Sequence, residues 1–161
     1  MSLEISEAIQ EFLRRGRIAR MATRRKDGAP TIVPICYAFD GNNLYTPLDE
    51  KPKTVPYERL ARVQNILADP RVCVLVDRYG EDWSSLAYVQ VHGAAHLAKD
   101  GEEWRQALEL LEEKYCQYKQ MGIARKAVPV IMIVPLRVYS WGVDTGSSET
   151  EVGLDMDSPH C

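Results

Sequence analysis

Residues 17–46 read RIARMATRRKDGAPTIVPICYAFDGNNLYT, and this stretch decides the fold. Residues 17–24 read as a strand. Asp27-Gly28 then marks a tight hairpin turn. Residues 30–39 form the next strand, with Pro34 inside it. Proline has no N–H for a sheet ladder, so the strand is predicted to carry an interruption or bulge there. Asp40-Gly41-Asn42-Asn43 is a second turn, and Leu44-Tyr45-Thr46 a short third strand. Hairpin turns of this kind imply antiparallel pairing.

Working outward, Ile5, Ile9, Phe12 and Leu13 share one face of a helix over 4–15, which Gly16 ends. Leu60, Val63 and Leu67 do the same over 57–68, where Asp69-Pro70 closes the helix. Strands follow at 71–79 and 86–98, with Gly93 signalling a bend or a close backbone approach. Trp104, Leu108, Leu111, Tyr115 and Tyr118 make one apolar stripe, which predicts a single helix over 101–120. Val130–Val134 and Arg137–Val143 close the pattern as strands. Many strands and few helices favour a closed barrel over an open sheet with long edges. The expected fold is therefore mainly β with α: a six-stranded antiparallel split β-barrel with flanking helices. Strict strand–helix alternation and a glycine-rich phosphate loop are both missing, which argues against a doubly wound α/β sheet.

The 161 residues are 45% hydrophobic and 27% charged, the composition of one globular domain. No apolar run approaches the ~20 residues of a membrane helix. The start, MSLEISEAIQEF, lacks the basic flank and apolar block of a signal peptide. The expectation is a cytoplasmic protein with no membrane partner. Residues 144–161 carry five carboxylates and no Lys or Arg, so they read as an acidic, mobile tail behind a domain over 1–143. Without that tail the count is 20 basic against 18 acidic residues, a body of +2. Seven basic residues crowd 14–26, yet a body of +2 is not that of a nucleic-acid module, and no nucleic-acid partner is expected.

Four cysteines, at 36, 73, 116 and 161, form no CxxC pair and read as packed thiols. His92 and His96 point the same way along a strand but stand ~13 Å apart, too far to share a metal. No protein-held metal is expected. Neither a nucleophile motif nor a Walker motif is present, so reactivity would have to come from a cofactor. Lys51, Lys53, Arg59 and Arg62 gather positive charge between a strand and a helix, which suits a phosphate.

Several segments carry a resemblance in their order and spacing. They are Arg20-Met21-Ala22-Thr23, Asp27-Gly28-Ala29-Pro30, Val33-Pro34-Ile35-Cys36-Tyr37 and Leu44-Tyr45-Thr46. Asp49-Glu50-Lys51-Pro52-Lys53, residues 60–66, Asp69-Pro70-Arg71-Val72 and Val91-His92-Gly93-Ala94-Ala95 continue it. Over residues 5–143 the chain resembles the pyridoxamine 5′-phosphate oxidase-like, flavin- or deazaflavin-dependent split-barrel family. The resemblance implies a homodimer with cofactor grooves between subunits. It sets the backbone of Val33, Pro34, Ile35 and Cys36 beside the flavin ring. It sets Tyr45, Thr46, Lys51, Lys53 and Arg62 near the phosphate, with Asn65 close by, and Trp141 on the closing strand near the cofactor. The cofactor implied is FMN or the deazaflavin coenzyme F-420. The activity implied is hydride transfer to a small conjugated acceptor, with no side chain singled out as catalytic acid or base. Haem binding or breakdown on the same barrel, through His92 or His96, and a non-catalytic flavin carrier are the alternatives. Gly142-Val143-Asp144-Thr145-Gly146 follows Trp141 where pyridoxamine-phosphate oxidases carry arginine, so that activity itself is not expected.

Overall fold

The computed structural model describes residues 4–49 and 56–143. Helix α1 (Glu7–Arg15) leads into strand β1 (Ala19–Arg24), β2 (Pro30–Ile35), β3 (Ala38–Phe39) and β4 (Leu44–Pro47). After a 3-10 turn at Tyr57–Arg59 come α2 (Ala61–Ala68), β5 (Arg71–Arg78) and β6 (Ala87–Ala98). Helices α3 (Glu102–Lys114) and α4 (Cys116–Met121) precede β7 (Val130–Trp141). The strands form one antiparallel sheet in the order β2-β1-β5-β6-β7-β4-β3.

That order holds the first correction. The expected six strands are seven, because the 30–39 segment splits at Cys36-Tyr37. Its first half pairs with β1 and its second with β4, at opposite ends of the sheet. Two residues therefore join the two outermost strands, and the sheet must curl to let them do so. Pro34 sits in β2, an edge strand, where a missing N–H costs no ladder bond.

Strand β7 corrects the closing region. It is one strand of 12 residues running straight through Pro135, not two. Its register against β6 slips between His92 and Gly93, so Gly93 faces Pro135 while His92 faces Arg137. The bulge absorbs Leu136 as an extra residue at the proline. Gly93 makes room for it: a Cβ there would lie 2.5 Å from the Val134 carbonyl oxygen.

Two cores result. Inside the curl, Met21, Ile35, Tyr37, Val74, Val89, Val91 and Ile133 pack with Leu13 of α1 and Val63 and Ile66 of α2. Outside it, α3 and α4 lay Leu108, Leu111, Tyr115 and Tyr118 over Tyr45, Val130 and Met132. The apolar faces read from the sequence for α1 and α3 are the buried ones. Outward residues of β2, β1, β5, β6 and the second half of β7 lie beyond this second core.

The helix expected over 101–120 breaks at Tyr115, whose backbone is extended (φ −128°, ψ 111°). The break serves the strand split. The Tyr115 hydroxyl accepts from the Tyr37 N–H at 3.0 Å and lies 2.8 Å from the Tyr37 carbonyl and 2.7 Å from that of Arg17. Residues 36 and 37 have left both ladders, and this phenol replaces the lost partners. Tyr37 in turn donates its hydroxyl to the Leu13 carbonyl at 2.5 Å. A Cβ on Gly16 would stand 2.5 Å from that hydroxyl, so Gly16 provides clearance as well as the helix stop read from the sequence.

Lys114 lies against the same seam. Its ammonium nitrogen donates to the Gly16 carbonyl at 2.6 Å and sits 4.1 Å from the centre of the Tyr37 ring. Burial, with Arg17 nearby, pushes its pKa down to about 7. The unfolded chain then holds a proton that the folded chain sheds between pH about 7 and the ordinary value of 10.5. Stability should rise with pH across that window. Lys114→Met should remove that part of the slope in denaturant titrations at pH 7 and 9. An unchanged slope would show that Lys114 stays charged in the fold.

Candidate functional site

A pocket of about 90 Å3 opens where β2, β4, α2 and α4 meet. Strand β2 and the link after it contribute Pro34, Ile35 and Cys36. Strand β4 and its exit contribute Thr46, Pro47 and Asp49; α2 brings Arg62 and α4 brings Tyr118. Five residues singled out in the sequence for a cofactor therefore converge: Pro34, Ile35, Cys36, Thr46 and Arg62.

The lining is polar and largely buried. Thr46 and Asp49 are buried, and the Nε–H of Arg62 is enclosed with no acceptor among the described residues. Burial lowers the Arg62 pKa from its ordinary value, and the charge of Asp49 opposes that shift. The Tyr118 phenol is pushed far above its ordinary value, first by burial and then by Asp49. It stays protonated at physiological pH. Cys36 and Cys73 carry thiols outside any disulfide.

Helix α2 is held at this site by Asn65. Its amide donates to the hydroxyls of Thr23 at 2.9 Å and Thr31 at 3.2 Å, across the β1–β2 hairpin. Asn65 lies one helical turn beyond Arg62, so the bonds that occupy its amide also fix where Arg62 points. It does not line the pocket.

Other sequence candidates lie apart. Val33 packs against the inner core, and the Tyr45 hydroxyl is engaged by Asp40 at 2.5 Å and Glu103 at 3.3 Å. Trp141 is half exposed and stacks on Tyr88, ring centres 6.1 Å apart. Lys51 and Lys53 lie outside the described residues, as does the 144–161 tail. Asp49 and Tyr118 were missed as site residues. Tyr118 reads as one more member of an apolar stripe, and only the break at Tyr115 turns it toward the pocket.

A wider cleft of about 490 Å3 lies at the start of α3, between His96 and Trp104. It contains none of the flavin candidates; His96, named in the haem alternative, lies on its wall. Its carboxylates, Asp100, Glu102 and Glu103, disfavour an anionic ligand. Four of the seven basic residues at 14–26 are paired within the fold: Arg15 with Glu11, Arg20 with Asp77, Arg24 with Asp69 and Arg25 with Asp27. Among the described residues, no helix is long and apolar enough to cross a membrane.

A sequence profile of the pyridoxamine 5′-phosphate oxidase family matches residues 5–142. The chain belongs to that family. Solved structures agree on the fold. A conserved hypothetical protein from Mycobacterium tuberculosis is 25% identical, with a TM-score of 0.68 and 94% of each chain covered. An FAD-binding protein from Mesorhizobium loti is 23% identical, with a TM-score of 0.61, covering 84% of this chain and 94% of its own. The haem storage protein HutZ from Vibrio cholerae is 14% identical, with a TM-score of 0.65, covering 86% of this chain and 94% of its own. No curated protein matches. In this member of the pyridoxamine 5′-phosphate oxidase family, the β2–β3 split lies directly at the pocket.

Proposed function

We propose that this chain is a cytoplasmic, homodimeric oxidoreductase that holds FMN or the deazaflavin coenzyme F-420 and passes a hydride between it and a small conjugated acceptor. One observation carries the reading: the convergence of Pro34, Ile35, Cys36, Thr46 and Arg62 on one pocket, with a buried guanidinium N–H that has no acceptor among the described residues. A phosphate oxygen would supply the acceptor that this group lacks among the described residues, in a charge-assisted bond.

The residues present fit a phosphate. At about 90 Å3 the pocket is far smaller than the ~300–1,000 Å3 of sites that enclose a whole ligand. It suits the phosphate end, and a three-ring head needs room outside it. Arg62 would bind the anion, Thr46 would donate its hydroxyl, and Asp49 would hold the guanidinium in place. Tyr118, kept protonated by burial, offers a further donor. When bound, the cofactor supplies the hydride chemistry, and the protein binds, orients and shields it.

The absorption and mass spectra of ligand released on denaturation test the reading. A flavin or deazaflavin supports it. The likeness to HutZ favours haem as a second reading, with the exposed His92 or His96 as axial ligand, and a Soret band without flavin would replace the first reading with the second.

A further inference from the structure

The pocket assigned above to a phosphate has a carboxylate in its wall. Among the described residues, its charged side chains are one cation, Arg62, and one anion, Asp49. Asp49 is only 7% exposed, so water and salt screen its charge little. The Tyr118 phenol, hydrogen-bonded to Asp49, is kept neutral by burial and by that carboxylate. Tyr118 and the buried Thr46 hydroxyl are therefore donors without charge. Before any ligand enters, the charges of Arg62 and Asp49 sum to zero.

A phosphate can bring one negative charge or two. A phosphodiester carries one. A phosphomonoester, whose second pKa is about 6, carries close to two at pH 7–8. The first charge is answered by the Arg62 Nε–H, which is buried and has no acceptor among the described residues. A second charge meets Arg62 and Asp49 together, and their fields on it oppose each other. Little is left to offset its lost hydration, and burying a charge without compensation is costly. Sites that take dianionic phosphates gather several cations, whereas the described lining here sets a carboxylate beside a single guanidinium.

We propose that Asp49 sets the charge selectivity of this pocket, so that it takes a singly charged phosphodiester in preference to a dianionic monoester. The inference rests on the phosphate reading above and deepens it. Of the two cofactors named there, FMN ends in a monoester, and coenzyme F-420 carries its phosphate as a diester. Asp49 therefore favours the deazaflavin. The pocket, about 90 Å3, suits the phosphate alone, so both substituents of a diester must lead out of it.

The test compares riboflavin, FMN and the phosphate monomethyl ester of FMN, which share one ring system and differ at the phosphate. Each is titrated at pH 8 into the parent protein and into Asp49→Asn. The ester should bind the parent at least roughly tenfold more tightly than FMN, because the second charge of FMN lies beside a like charge. In Asp49→Asn that preference should vanish through a gain in FMN affinity. FMN binding the parent as tightly as the ester, or a preference that survives Asp49→Asn, overturns the charge selection and leaves the phosphate pocket standing. If the variant does not fold, the preference of the parent decides alone. Riboflavin binding the parent as tightly as both phosphate-bearing ligands overturns the pocket reading and the inference together.

Discussion

Tyr115→Phe should lower the free energy of unfolding by about 2–4 kcal/mol, from one lost hydrogen bond plus a buried N–H left without a partner. The loss is large because of where the phenol acts. Tyr37 N–H is at the strand split and has no ladder acceptor, so the Tyr115 hydroxyl at 3.0 Å is its partner. The ring itself stays, and the apolar packing with Tyr118 is unchanged. Denaturant unfolding of the two proteins measures the difference. A loss under ~0.5 kcal/mol, the size of an ordinary surface change, would mean that the seam has another source of hydrogen bonds.

The second large effect is expected at the bulge. Gly93→Ala should cost about 3 kcal/mol, the upper end of ordinary overpacking. The added Cβ would meet the Val134 carbonyl oxygen at 2.5 Å, and that atom is backbone within a paired strand. It cannot swing aside as a side chain would. The β6–β7 register would have to shift, disturbing the Pro135 crossing. A melting temperature within a degree of the parent would show that the two strands separate easily there.

Both effects concern features that periodicity foreshadows only in part. Gly93 was legible: a glycine inside an apolar strand signals close approach, and that is its role. The partner was not legible, because Pro135 reads as a strand end until a bulge opposite it is known. Pro34 was legible as a point of interruption, yet the chain actually leaves the sheet two residues later. Whether a long strand splits depends on which neighbours its halves find, and those are β1 and β4. Tyr115 and Tyr37 are 78 residues apart, so no local pattern links them. The apolar stripe over 104–118 marked Tyr115 as buried. It could not show that a hydroxyl's reach would break the helix.

The candidate site divides in the same manner. Arg62, Thr46 and residues 34–36 were singled out by positive charge and a family-like order, and the fold brings them to one pocket. Asn65 was legible as important but not as a brace between α2 and the β1–β2 hairpin, since its partners lie on another element. Asp49 was hidden by its acidity: a search for phosphate ligands passes over a carboxylate. Its charge opposes the effect of burial on Arg62, and only the packed pocket brings the two together.

The central claim is that this pocket receives the phosphate of a flavin-type cofactor. Titrating FMN and riboflavin into the parent protein and into Arg62→Met tests it most directly. Losing a charge-assisted bond of ~1.5–3 kcal/mol should weaken FMN binding by roughly ten- to a hundredfold. Riboflavin, which has no phosphate, should bind both proteins alike. If FMN binds Arg62→Met as tightly as the parent, the phosphate is held elsewhere and the account of this pocket is wrong.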